Sequence, residues 1–151
     1  MDNKNRFHTS GTWFLVRAEH ITLMIVLSIL IAIHAAVVNW GRFIFAFVII
    51  DLIGYLPGAI AYRRARGGAI APIYHHLYNF AHSYLTAAVV VGLWALATGA
   101  FEWAMLAIPI HYSGDRGLFG NTYKPAALSF EPVASANPVG IISTTNVGES
   151  V

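Results

Sequence analysis

Phe43-Ile44-Phe45-Ala46-Phe47-Val48-Ile49-Ile50-Asp51-Leu52-Ile53-Gly54-Tyr55 carries one charge, Asp51, in an otherwise apolar run. The apolar segment around it extends from about Phe43 to Tyr62. That is enough for the ~20 residues a membrane-crossing helix needs. A carboxylate in hydrocarbon costs several kcal/mol unless it is paired, bound to a metal or facing water. Gly54, Tyr55 and Gly58 follow Asp51 at i+3, i+4 and i+7, so small residues on about the same face allow another helix to come close. The segment therefore predicts both a membrane helix and a polar site inside it.

Three further apolar segments flank this one. The first runs from about Trp13 or His20 to Trp40, and the third from about Ala69 to Thr98. Both are long enough to span. The fourth starts near Phe101 and fades at about Tyr112; its apolar part barely crosses, and continuation through Asp115 toward Leu118 would end it in a polar pocket. Short links (Asn39-Trp40-Gly41-Arg42, Arg63-Arg64-Ala65-Arg66-Gly67-Gly68, Thr98-Gly99-Ala100) imply antiparallel neighbours. The expected fold is all-α, an integral membrane four-helix bundle over residues 1–120, followed by an extended polar C-terminal tail over residues 121–151. In that tail Pro125, Pro132 and Pro138 interrupt a stretch rich in Ser, Thr, Asn, Ala and Gly. A membrane-protein partner is the expected means of holding it.

Composition agrees and excludes several classes. Only 11% of the residues are charged against 57% hydrophobic, where a soluble domain carries roughly 25% charged. A formal charge of +2 leaves no nucleic-acid footprint. Without cysteine there are no disulfides, thiolate metal sites or cysteine nucleophiles. The apolar run after Lys4, Arg6 and Arg17 has no clean cleavage site and reads as an uncleaved first helix. Four spans put Lys4, Arg6, Arg17, Arg63, Arg64, Arg66, Arg116 and Lys124 on one side and Arg42 alone on the other, so both termini are expected to be cytoplasmic.

The polar residues inside these segments form a pattern. His75, Tyr78, Asn79 and His82 fall at i, i+3, i+4 and i+7, one stripe of a helix. His111 and Asp115 are at i and i+4. At 1.5 Å per residue Asp51 lies roughly 16 Å from the cytoplasmic end of its helix and His82 roughly 18 Å from its own. Antiparallel threading thus brings Glu19, Asp51, His75, Asn79, His82, His111 and Asp115 toward one cytoplasm-facing cavity. Imidazole nitrogens and carboxylate oxygens around one point are what a divalent metal requires. The candidate ligands are Asp51, His82, His111 and Asp115, with His75, Asn79, Tyr55, Tyr78 and Arg116 around them and Glu19 as a candidate general base. The competing explanation is a hydrogen-bond network knitting helices together.

The motifs Asp51-Leu52-Ile53-Gly54-Tyr55, Tyr78-Asn79-Phe80-Ala81-His82 and His111-Tyr112-Ser113-Gly114-Asp115-Arg116-Gly117-Leu118-Phe119-Gly120, with Glu19, resemble those of a family of small bacterial integral membrane proteins of unknown function. Their spacing is also similar, more distantly, to membrane-bound metal-dependent hydrolases, through His82-Ser83 and the His111-to-Asp115 spacing. Where that hydrolase group has Pro-Asp-x-Asp, this chain has Ile50-Asp51-Leu52-Ile53, and Ser129-Phe130-Glu131 stands where the first family often ends in a Thr-His-Leu-like motif. The resemblance implies a multi-pass inner-membrane protein with membrane lipids around it. Two functions follow as expectations. One is a metalloenzyme, with zinc by default or iron as a variant, that hydrolyses a lipid-like ester. The other is a non-catalytic accessory subunit of a larger membrane complex, associated with pigment or haem.

Overall fold

A computed structural model describes residues 9–131, which contain helices and no strand. The termini beyond them, including most of the expected tail, lie outside the described residues.

Helix α1 (Ser10–Ile33) starts at Thr9, whose hydroxyl accepts from the Thr12 N–H at 3.2 Å while the Thr12 hydroxyl accepts from the Thr9 N–H at 2.8 Å. This reciprocal cap satisfies two of the orphan donors at a helix start. Asn39 caps α2 (Trp40–Gly54) by accepting from the Arg42 N–H at 3.0 Å. After Tyr55 the chain continues as α3 (Leu56–Arg64). The interruption follows from Pro57, which has no N–H to offer the carbonyl of Ile53. Together Trp40–Arg64 is long and apolar enough to cross a membrane, as is α1.

The third expected span is two helices, not one. α4 (Pro72–Ala81) and α5 (Tyr84–Thr98) meet at a 54° bend and could serve as a single broken span. His82 closes α4, and the Ser83 hydroxyl accepts from the Leu85 N–H at 3.2 Å to start α5 in a new direction. The left-handed Gly99, at φ 71°, ends α5. The fourth segment is a 3₁₀ turn (Trp103–Leu106), α6 (Ala107–Gly114) and a π-helical turn (Asp115–Phe119). α6 is too short to be a span, but its side chains at Ala107, Ile108, His111, Tyr112 and Ser113 are all buried. It packs against α1, α2 and α5. The simple expectation of four continuous neighbouring helices is therefore corrected. α1 packs mainly on α6, α2 packs on both α4 and α6, the shortest helix is the most enclosed, and among the described residues there are six α-helices.

The described residues show a broad apolar exterior and a small polar group buried within an apolar core. Phe14, Leu15, Ile29, Ile44, Phe45, Phe80, Leu85 and Leu96 are exposed, while His75, His82, His111 and Ser113 are buried. Soluble monomers rarely expose apolar patches of this extent. The π-helical turn is pinned to α1: Arg17 donates to the carbonyls of Gly117 at 2.9 Å and Leu118 at 2.8 Å. Gly117 is required by that contact, because a Cβ there would lie 2.8 Å from Ile21 Cγ1 and 2.9 Å from the Ile21 backbone nitrogen.

Beyond Gly120, residues 121–131 fold back on the helices of the same chain. Phe130 is 1% exposed, packed with Ala59 and Tyr78 among Tyr55, Tyr62 and Tyr74. Gly58 makes the socket, since a Cβ there would stand 2.2 Å from the Phe130 ring. As far as Glu131 the expected tail is thus held by the chain's own α3 and α4.

Gly117→Ala should destabilise the protein by about 1–3 kcal/mol through overpacking against backbone. The measurement is the thermal unfolding midpoint in detergent, with Gly92→Ala, which meets nothing within 4 Å, as the unaffected control.

Candidate metal centre

Three structural elements converge on one point. α2 supplies Asp51, the break between α4 and α5 supplies His82, and α6 with the π-helical turn supplies His111 and Asp115. Ligand atoms of Asp51, His82 and His111 all lie within 4.8 Å of one another, a group able to hold a metal ion. His82 Nε2 stands 3.3 Å from Asp51 Oδ1 and 3.4 Å from Asp115 Oδ2. His111 Nε2 stands 3.6 Å from Asp51 Oδ1 and 3.7 Å from Asp115 Oδ2. The imidazoles are deeply buried, at 6% and 4% side-chain exposure, whereas Asp51 keeps 49% and Asp115 18%, so the centre opens on the Asp51 side.

The tautomer of His82 follows from its other nitrogen. Nδ1 lies 3.0 Å from the Tyr78 carbonyl oxygen. A carbonyl only accepts, so Nδ1 carries the proton. In the neutral ring Nε2 is then a lone pair facing two carboxylates, three acceptors with no donor among them. Either a second proton or a cation resolves this. His82 Nε2 and Asp51 Oδ1, at 3.3 Å, are within hydrogen-bonding reach, and the distances favour the cation. Charge-assisted N–H···O bonds close to about 2.7–2.9 Å, shorter than any of the four separations here. Donors held at 2.0–2.1 Å around a tetrahedral ion stand about 3.3–3.4 Å apart, which matches the His82 pair and is close to the His111 pair. His111 gives the same signal, because neither ring nitrogen has a hydrogen-bond partner although the ring is buried. Phe47 packs edge-on against it at 4.7 Å between ring centres.

The surrounding groups hold His82 in place. Tyr78 stacks on its ring at 4.0 Å. Arg116 donates to the His82 carbonyl at 3.1 Å, and its guanidinium lies 4.4 Å from the centre of the Tyr84 ring. That carbonyl is free because the helix stops there. Gly54 admits the ring: a Cβ at 54 would be 2.6 Å from Ala81 Cβ and 3.0 Å from His82 Nδ1. The Tyr112 hydroxyl donates to the Ala81 carbonyl, tying α6 to the same break.

Several sequence expectations are corrected. Glu19 is on the exposed face of α1, lining a shallow concavity with Leu15, Thr22, Leu23 and Val26. One residue is 100° of helix, and it is the neighbouring His20 that turns inward to Tyr84, whose hydroxyl lies 3.5 Å from its Nδ1. His75 and Asn79, on the same stripe as His82, face the folded-back chain. His75 Nε2 is 3.2 Å from the Leu128 carbonyl. Asn79 binds Lys124 at both ends of its amide, donating to the carbonyl at 3.0 Å and accepting from the N–H at 2.6 Å. Tyr55 stacks on Phe130. The stripe divides where α4 ends at His82: His75 and Asn79 face the folded-back chain, and only Tyr78 stays against the His82 ring.

Lys124, Tyr112 and Phe130 were not singled out from the sequence. Lys124 Nζ donates to the Phe130 carbonyl at 2.6 Å and lies 4.9 Å from the Tyr78 ring centre. Burial pulls its amine below the ordinary lysine value, with Glu131 and Asp115 acting against that shift. A lysine flanked by Tyr123 and followed by Phe130 in a proline-interrupted tail was the available signal.

No protein-family model, curated protein or solved structure matches this chain.

In metal-free protein Asp51→Asn should raise stability by about 1 kcal/mol, because the amide can donate to the His82 Nε2 lone pair. A thermal midpoint that falls instead would mean that a protonated imidazole, not a cation, belongs between these groups.

Proposed function

We propose that this protein is a membrane-embedded metalloenzyme in which Asp51, His82 and His111 hold a divalent ion, zinc by default, and Asp115 is the base. The observation that carries this reading is the His82 Nε2 lone pair set between two carboxylates at coordination spacing. Two histidines and one carboxylate, with room left at the ion, suit hydrolytic zinc and also ferrous iron. An ion there supplies Lewis acidity and lowers the pKa of a coordinated water from 15.7 to about 7. Asp115, beside both imidazoles, would be the group placed to take up a proton from an attacking water. Tyr78 and Arg116 keep the His82 lone pair directed inward. Asp51, the least buried of the four, lies where a substrate enters.

The reaction class is hydrolysis of an ester in a lipid-like molecule, in which water adds across the acyl–oxygen bond and an acid and an alcohol leave. The apolar exterior supports a substrate delivered from the membrane, and the resemblance at His82-Ser83 and His111 to Asp115 supports hydrolysis. The lysine and arginine asymmetry supports an inner-membrane protein with both termini cytoplasmic. Glu19 has no part in this scheme.

One observation favours a second reading. Asp115 Oδ2 is near enough to both imidazoles to bind the ion as well. Four protein donors would close the shell, making the metal a brace between helices and the protein a non-catalytic accessory subunit.

Elemental analysis of the purified protein should find stoichiometric metal that is lost in His82→Ala and His111→Ala. Asp115→Asn should keep the metal while hydrolysis of a fluorogenic acyl-ester lipid falls roughly 10²–10⁴-fold. Loss of metal from Asp115→Asn would favour the brace; metal-free wild-type protein would rule out both.

A further inference from the structure

Beside the centre is an apolar groove of about 280 Å³ between α2, α4, α5 and α6, lined by residues including Ile50, Ala81, Ala87, Val90, Trp94 and Tyr112. We propose that this groove holds one alkyl chain of a membrane lipid whose polar end reaches the Asp51–His82–His111 centre. The inference deepens the hydrolase reading by naming where its substrate sits.

Register places the groove at the level of the centre. On each of three elements a groove residue adjoins a centre residue: Ile50 precedes Asp51, Ala81 precedes His82, and Tyr112 follows His111. On its other side Tyr112 lines a closed crevice, too small for a water molecule, with His82, Asp115, Arg116, Asn121 and Tyr123. One ring therefore stands between the apolar groove and the polar residues around the centre.

Shape selects the occupant. Ala46, Ala81 and Ala87 are buried and form a floor of small side chains, while Phe45, Ile53 and Phe80 on the rim are exposed at 67%, 51% and 67%. The groove therefore opens sideways to the membrane. Because the groove adjoins the centre on three elements, it suits an occupant that is apolar along its length and polar at one end, which is the chemistry of a lipid chain and not of an apolar helix of a second copy. In a bilayer the chain gains no hydrophobic free energy on entering, because lipid tails are as apolar as the walls. Occupancy then depends on packing and on the hold of the head group, so filling the floor should lower it sharply.

The experiment uses the full chain in phosphatidylglycerol nanodiscs that contain a phosphatidylglycerol with a diazirine midway along one acyl chain. After irradiation, labelled peptides are mapped by mass spectrometry and metal content is measured on the same sample. Label should concentrate on the α2, α5 and α6 groove residues over the outer face of α1 (Phe14, Leu15, Ile25). In Ala87→Trp, or in the milder rim variant Val90→Phe, it should fall roughly tenfold, equivalent to ~1.4 kcal/mol of lost occupancy, with metal content unchanged. Equal labelling of the groove and the α1 face would overturn the proposal, as would protein–protein cross-links through the groove residues. Groove labelling in a protein without metal would leave the chain site standing and remove the hydrolase reading; metal without groove labelling would do the reverse.

Discussion

The Tyr78 carbonyl oxygen accepts twice from His82, from its main-chain N–H at 2.9 Å and from its ring Nδ1–H at 3.0 Å. Much of the structure depends on that pair of bonds. The ring bond fixes the tautomer and turns Nε2 toward Asp51 and Asp115. The bend at the same residue leaves the His82 carbonyl without a helical partner, and Arg116 takes it up. Arg116 sits in the π-helical turn, which α1 holds through Arg17 and the Gly117 contact. The position of one imidazole is thus secured by α1, α4 and the last turn together.

The surroundings make these arrangements consequential. In an apolar medium irregular backbone persists only where protein encloses it. The 3₁₀ turn, short α6 and π-helical turn meet that condition because they are packed against α1, α2 and α5. Such π-helical turns occur often at functional sites, and this one presents Asp115 to both histidines. Two imidazoles buried beside carboxylates carry a desolvation cost that a cation between them offsets, which is the physical reason for proposing a metal there.

The folded-back chain plays a supporting part. Asn79 and Lys124 hold one another, Lys124 reaches the Phe130 carbonyl, and Phe130 fills the space that Gly58 leaves. Gly58 was legible as a residue that lets another group come close. That its visitor is Phe130 of the same chain, not another helix, was not legible, because a polar, proline-interrupted stretch has no periodicity from which to place it. The stripe of His75, Asn79 and His82 was legible for a similar reason and misleading for another. Helical spacing put them on one face, and the end of α4 then gave His75 and Asn79 to the folded-back segment and His82 to the centre.

By itself the sequence determined that the chain is helical, that it carries at least two segments long and apolar enough to cross a membrane, and that Asp51, His82, His111 and Asp115 are expensive where they stand. Those conclusions rest on local composition and on the cost of charge in hydrocarbon, which need no coordinates. Tertiary structure decided which polar residues meet. Glu19 and His20 differ by 100° of rotation and only one turns inward, α4 and α5 bend at His82, and the shortest helix became the innermost. Rotation, bend and depth are set by packing between segments far apart in the chain, at Gly54, Gly58 and Gly117, where side chains of distant residues occupy the space a Cβ would have filled.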